Sequence, residues 1–277
     1  MIEFCKNTSL SEKIKKEVLP LFLNLEESQV ECLYQYFSME YQTDPYSDNM
    51  LIKQELNIIK ETYLIKKDIN SLHYFGIDIP CWFNINESSK NIMIIGLDPL
   101  RNQKKYKDKL EFGTPYAFHI KSVREKNTKK YFDFVEGLAI NYGVYITDAS
   151  KIFYKEKLTN KRSTNCKIFW GNELHFKVLK KEIELVKPKL IITLGVVPAH
   201  MLSGFRVKTT DKINLDLTTY EDNFGLIPLI CLPHLSNANN SNINKFLNIN
   251  ITDYKNKTQV ESYLELVKLR LKNNTLC

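Results

Sequence analysis

Four short stretches of the chain are apolar without interruption, and they constrain the fold more than anything else in the sequence. They lie at 92–95 (IMII), 144–147 (VYIT), 190–194 (LIITL) and 229–232 (LICL). A strand with one wet face alternates apolar and polar residues, whereas a strand buried on both faces does not. The runs therefore read as strands of a covered, mainly parallel sheet. More than thirty residues separate each run from the next, which leaves room for a crossover helix. Helical stripes occupy those gaps at 131–142, at 172–187 (Leu174, Val178, Leu179, Ile183, Val186) and from Val197 to Leu202. A last stripe follows the fourth run, with Val260, Tyr263, Leu264, Val267 and Leu271. Alternating strands and helices predict an α/β fold, a three-layer α/β/α sandwich around a four-stranded, mainly parallel sheet.

The first 75 residues follow another pattern. Ile14, Val18, Leu21 and Leu25 recur at helical spacing, as do Val30, Leu33, Tyr34 and Phe37. Turn chemistry at 44–48 (DPYSD) precedes a third helical run containing Leu51, Ile58, Ile59 and Ile65. The expected organisation is an N-terminal helical extension over 1–75 and an α/β domain over 76–277. No internal repeat is evident. The Asn-rich stretch 237–250 reads as a surface loop.

A chain of 277 residues with 43% hydrophobic and 26% charged residues can bury a sizeable core, and it is neither collagen-like nor disordered. No run reaches the roughly 18–20 apolar residues of a membrane span. The first 16 residues alternate apolar and charged side chains without a signal-peptide core, so a cytoplasmic location and no membrane partner are expected. The formal charge of +7 fits either a polyanionic partner or a solvated lysine-rich surface. The six cysteines, Cys5, Cys32, Cys81, Cys166, Cys231 and Cys277, form no C-x-x-C pair, so reduced thiols and no metal are expected.

Ligands of open parallel sheets bind beyond the carboxyl ends of the strands. After the first run stands Gly96-Leu97-Asp98-Pro99-Leu100-Arg101, and after the second Asp148. Gly195 and Val196 follow the third, and Pro233-His234-Leu235-Ser236-Asn237 the fourth. Two carboxylates and an imidazole at three strand ends make a candidate polar cluster. With only nine glycines and no G-x-G-x-x-G or Walker sequence, an unrelated enzyme acting on phosphorylated substrates is disfavoured.

The strand followed by Gly96-Leu97-Asp98-Pro99 resembles the first motif of the uracil-DNA glycosylase superfamily, a Gly-x-Asp-Pro or Gly-x-Asn-Pro turn. The segment 232–239 (LPHLSNAN) resembles its second motif, Leu-Pro-Asn-Pro-Ser-Gly-x-Asn in one branch and His-Pro-Ser-Pro in others. Between them, 188–195 (PKLIITLG) is similar to the family's Pro-Lys-x-Ile-x-x-Leu-Gly strand. Gly113-Thr114-Pro115-Tyr116 looks like the Gly-x-Pro-Phe segment that carries a base-stacking aromatic. The resemblance spans roughly 91–242 in the right order and leaves the N-terminal helices uncovered. It also implies a monomer without cofactors, and the missing cysteine pairs set the chain apart from iron–sulfur members.

The resemblance implies a monofunctional DNA glycosylase, with water attacking an N-glycosidic bond and no lysine at the attacking position. Asp98 would orient the water and stabilise the cationic sugar; its alternative is a plain Asp-Pro turn. His234 would donate to the departing base, matching either the family's His or its Asn because Leu235 replaces the usual Pro; otherwise it is a loop histidine. Gly96, Leu97, Pro99, Tyr116, Phe118 and Asp148 would form the base site, with Tyr116 stacking on an extruded base and Phe118 beside it; both aromatics equally suit core packing. Asp148 stands where uracil-specific relatives carry Asn. An ionised carboxylate only accepts, so a base with an exocyclic amine suits it better than uracil, whereas a protonated Asp148, which needs a raised pKa, would donate to uracil O4; alternatively Asp148 is a helix N-cap. Arg101, Ser236, Asn237 and Asn239, with Lys104 and Lys105, would contact single- or double-stranded DNA. The basic residues of 121–130 either bind phosphates or are solvated. The competing reading is a catalytically degenerate nucleic-acid-binding protein of the same fold.

Overall fold

The computed structural model describes residues 2–43, 51–53, 58–60, 72–87, 90–98, 109–156, 173–205, 207–208, 212–219 and 226–273. Their strands are β1 (Leu51–Lys53), β2 (Leu72–Asp78), β3 (Cys81–Phe83), β4 (Asn91–Gly96), β5 (Lys109–Gly113), β6 (Gly143–Asp148), β7 (Ile152–Glu156), β8 (Leu190–Leu194) and β9 (Leu229–Leu232). The helices are α1 (Ser9–Glu17), α2 (Glu27–Thr43), α3 (Lys121–Glu125), α4 (Lys129–Ala139), α5 (Glu173–Val186), α6 (Val196–Ser203), α7 (Asn240–Asn250) and α8 (Gln259–Asn273).

The four apolar runs are neighbours in one sheet of order β3-β6-β4-β8-β9. The pairs β6–β4, β4–β8 and β8–β9 are parallel. Every residue of these four strands is buried, which is why none of them alternates. The sheet holds one strand more than the sequence pattern announced. β3 adds an antiparallel edge against β6 and is too short to carry a period of its own. A second, mixed sheet of order β1-β5-β2-β7 stands beside it.

Side-chain alternation along β6 separates the two covering layers. The Tyr145 hydroxyl and Thr147 Oγ1 both donate to Glu182 Oε1 of α5, at 2.9 and 2.8 Å. Val144, Ile146 and Asp148 therefore face the opposite layer, where α4 packs on β6 and on α8. On the α5 side Lys151 and Glu182 form an ion pair of 2.7 Å, both fully buried. Lys151 Nζ also donates to Asp148 O at 2.8 Å and to Thr147 Oγ1. Beside it, burial and the Lys151 charge push the His175 imidazole down to about 3.

Helix α1 opens with a capping box in which the Thr8 and Ser11 hydroxyls take each other's backbone N–H, at 3.1 and 2.7 Å. Ile14, Val18 and Phe37 of α1, its C-cap and α2 are fully buried in the same apolar core as the sheet. Trp82 Nε1 donates to Lys6 O and the Tyr34 hydroxyl to Pro80 O, both at 2.9 Å, tying this segment to β3. The third expected helix is corrected at its start, because 51–53 is a strand paired with β5 and Ile59 bridges to Leu23. Pairing with a distant strand overrode the local helical period. Residues 54–57 and 61–71, and the turn at 44–48, lie outside the described residues.

The Asn-rich stretch is also corrected. After one 3-10 turn at Asn237–Asn239, α7 continues to Asn250. Ile243, Phe246 and Leu247 are spaced i, i+3, i+4 and buried. Burying three large side chains, at about 1.5–3 kcal/mol each, outweighs the helix reluctance of asparagine, well under 1 kcal/mol per residue.

Candidate active site

Parallel pairing brings the carboxyl ends of β4, β6, β8 and β9 to one edge. The register sets Gly96 opposite Asp148 and Leu194 opposite Leu232. The chain leaves β4 for β6 on one side and returns to β8 on the other, so a switch point lies between β4 and β8. A cleft of about 470 Å³ opens there, lined among others by Leu97, Gly195, Val197, His234, Ser236 and Asn239.

On one side of this edge lie Gly96, Asp148 and Tyr116. A methyl group at Gly96 would run into the Asp148 carboxylate and come within 2.9 Å of the Tyr116 hydroxyl oxygen. Both polar groups thus converge over a glycine that leaves them room. Backbone bonds from Ala149 N to Gly96 O and from Ser150 N to Leu97 O, both 2.9 Å, lock the two strand-end turns together. Asp98 follows, half-buried, with one carboxylate oxygen shut off from solvent. Asp148 itself is buried, and 149–151 lead directly into β7, so the N-cap alternative is excluded.

On the other side lies His234. Gly195 has φ +103°, and a Cβ there would sit 2.7 Å from His234 Nε2, so only glycine lets the imidazole rest on this backbone. The loop carrying His234 is pinned at several points. The Tyr263 hydroxyl donates to Pro233 O at 2.9 Å, and Asn239 Nδ2 donates to His234 O at 3.0 Å. Leu235, the departure from the family pattern, is 2% exposed and anchors the loop in the core. Cys231 Sγ donates to Gly195 O at 3.3 Å, and burial raises this thiol to about 11.

Tyr116 does not present the stacking face that the sequence suggested. Its ring is stacked on Tyr131 of α4, with centroids 4.5 Å apart and planes at 22°, and Phe118 leans on it at 5.5 Å. What it offers is its hydroxyl edge. Tyr116 and Ala117 both have positive φ, 59° and 53°, a strain of order 1–3 kcal/mol each that the surrounding packing sustains. Burial and the Asp148 charge hold the Tyr116 phenol well above its usual range, so it stays protonated. Phe118 is corrected: at 0% exposure among Phe83, Phe132 and Tyr116 it is a core residue, not a base contact.

Among the residues expected at DNA, Ser236 is half-buried and hydrogen-bonds with Tyr131, whose phenol burial raises to about 12. Asn237 is exposed; Asn239 shapes the loop through His234 O and Asn242. Pro99, Arg101, Lys104 and Lys105 lie outside the described residues. In the basic run over 121–130, Lys121, Lys126 and Lys129 are exposed, whereas two residues are structural. Arg124 is buried, donating to Phe118 O and Tyr41 O, and Lys130 ties α4 to Asn240 and Gln259. Lys129 pairs with Asp133. Two contributors were missed in the sequence, Tyr131 and the Lys151–Glu182 pair behind Asp148. The only trace of Tyr131 was its place on the apolar stripe of α4. A buried lysine cannot be told from a solvated one by composition. Among the described residues no His, Cys, Asp and Glu cluster could hold a metal ion, and no helix is long and apolar enough to cross a membrane.

Fold and site together define an α/β sandwich protein with a cleft at the switch point of a parallel sheet, lined by residues that follow its strands. The chain belongs to the uracil DNA glycosylase superfamily, whose family profile matches residues 83–264. The match begins inside β3 and leaves α1 and α2 outside it. No curated protein matches the chain with significant similarity.

Proposed function

We propose that this protein is a monofunctional DNA glycosylase that hydrolyses the N-glycosidic bond of a uracil or other deaminated or damaged base. The observation that carries the reading is the flanking of one strand-end turn, Gly96–Asp98, by Asp148 and Tyr116 on one side and His234 on the other. Breaking the C1′–N bond sends its electron pair to the base and leaves positive charge on the sugar. The Asp98 carboxylate stabilises that charge and takes a proton from the water whose oxygen bonds to C1′. His234 donates a hydrogen bond to the base oxygen where negative charge gathers. Ser236, Asn237, Asn239 and Arg101 contact the DNA backbone around the extruded nucleotide. Lys151, the lysine nearest Asp148 in sequence, is buried in its ion pair and cannot serve as an imine-forming nucleophile.

The test is base release from oligonucleotides carrying uracil, hypoxanthine, xanthine or a mismatch, single- and double-stranded. Wild type releases a base, and Asp98→Ala slows release by about 10²–10⁴-fold. Equal rates would remove Asp98 from the chemistry. Salt-sensitive DNA binding without release by the wild type would make this a degenerate nucleic-acid-binding protein.

A further inference from the structure

We propose that the end of α2 is a positioning element for the cleft: Glu40 and Tyr41, through His119 and Arg124, hold the turn at 114–120 in the form that keeps Tyr131 against Ser236. The inference rests on the proposed function only in its link to substrate. It starts from the strain at Tyr116 and Ala117, two consecutive residues with positive φ. Such a backbone persists only where its surroundings over-determine it. Within the turn, Thr114 Oγ1 accepts from His119 N at 3.3 Å and hydrogen-bonds with His119 Nδ1 at 3.0 Å, closing 114 onto 119. The rest of the grip comes from α2. Glu40, 1% exposed, has Oε2 3.6 Å from His119 Nε2, and the Tyr36 hydroxyl donates to its other oxygen at 2.8 Å. Phe37 packs on the same imidazole, with centroids 4.6 Å apart. Arg124 makes the second link, donating through Nη1 to Phe118 O and through Nη2 to Tyr41 O. Its guanidinium lies 3.7 Å from the centroid of the Tyr41 ring, on which Phe4 is stacked.

The turn passes this grip on to the cleft. Tyr116 stacks on Tyr131, and Tyr131 is hydrogen-bonded to Ser236, which lines the cleft with His234. A turn relaxed towards negative φ at Tyr116 would swing that ring off Tyr131 and free the Ser236 wall of the cleft. Glu40 and Tyr41 stand outside the family match at 83–264, whereas Thr114, His119 and Arg124 stand inside it. The extension therefore supplies, from outside the family domain, the support that a strained turn inside it needs. An imidazole between a hydroxyl and a carboxylate resembles a nucleophilic triad. Here Thr114 and Glu40 are both buried, so the arrangement holds structure and attacks nothing.

Hydrogen exchange read by NMR, together with steady-state kinetics, tests this. Glu40→Ala removes the carboxylate, and Arg124→Lys keeps the charge but cannot bridge two carbonyls as the guanidinium does. Both should speed exchange of the Ala117 and Ile120 amides, bonded to Thr114 O and Ala117 O, by about tenfold or more. The Asn239 amide, bonded to Ser236 O, should follow them. Val30→Ala, a cavity elsewhere in α2, lowers the unfolding midpoint but should leave these amides within about twofold of wild type. On the oligonucleotide that the wild type cleaves, KM should rise about fivefold or more in both variants while kcat stays within about twofold, because Ser236 meets the DNA and not the bond that breaks. A purely structural role would lower kcat with the folded fraction and leave KM alone. Should a variant not fold, exchange of the wild type in urea decides: the Ala117, Ile120 and Tyr41 amides should open together with one urea dependence. The expected exchange pattern in a protein that releases no base would keep the brace and overturn hydrolysis. Turn amides that ignore both variants, respond equally to Val30→Ala or open apart from Tyr41, or base release with KM unmoved, would overturn the brace and leave hydrolysis standing.

Discussion

Removing the Lys151 charge alone should be among the most damaging single substitutions in this protein. Lys151→Met strips Glu182, at 0% exposure, of its cationic partner at 2.7 Å. The Tyr145 and Thr147 hydroxyls still donate to Glu182, but two neutral donors do not offset a buried charge. Breaking one member of a buried pair costs about 3–5 kcal/mol, and a domain of this size loses roughly 2–4 °C of Tm per kcal/mol. A fall of about 6–20 °C is therefore expected. The double variant Lys151→Met/Glu182→Leu removes both charges and should recover part of that loss. What remains is the cost of the freed hydroxyls and of Asp148 O, about 1–3 kcal/mol per group that stays unpaired. Urea unfolding of the two single variants and the double variant forms the cycle, and a coupling of at least about 2 kcal/mol is expected. Strict additivity, or single variants costing under about 1 kcal/mol as exposed pairs do, would refute the view that this pair is dry and interdependent.

Other consequences can be checked alongside. Gly195→Ala should cost about 1–2 kcal/mol through its positive φ, and should slow base release about tenfold by displacing His234; unchanged Tm and rate would contradict the close approach. His175, depressed to about 3, binds no proton in the folded state at mild acidity, whereas the unfolded chain titrates near 6.5. Its contribution to stability is thus present above about 6.5 and lost as pH falls towards 3, with a slope of up to about 1.4 kcal/mol per pH unit, and His175→Gln should flatten urea midpoints over that window. Phe118→Leu should lower stability by about 1–2 kcal/mol without changing which base is released, since Phe118 is a core residue. Mass-spectrometric mapping of thiol labelling at pH 8 should find Cys32, which is exposed, ahead of Cys5, Cys81 and Cys231, which burial keeps protonated.

The sheet was legible because burial on both faces writes itself into the sequence as unbroken apolar runs, and the site was legible because parallel strands deliver their ends to one edge. Asp148, Asp98 and His234 follow from that geometry as candidates, because each stands at or just after the carboxyl end of a strand of the parallel sheet. What escaped was decided by distant partners. Residues 51–53 became a strand by pairing with β5, and asparagines of α7 became helical because three apolar neighbours reached the core. Aromatic identity likewise says nothing of orientation. Tyr116 and Phe118 stand two positions apart in one turn, yet one directs a hydroxyl over Gly96 and the other disappears into the core.

The small mixed sheet has a consequence for how such a site can change over time. β5 ends at Gly113, just before the Tyr116 turn, and β7 begins at Ile152, just after Asp148. β2 lies between them, with Asp78 N bonded to Lys151 O at 2.9 Å and Ile79 N to Gly113 O at 3.0 Å. The backbone at 78–79 therefore works as a spacer bar, fixing how far the tyrosine arm stands from the aspartate arm. Side chains facing outward from that sheet can drift freely, whereas an insertion or slipped register in β2 would reset the gap and, with it, the molecular shape the protein accepts.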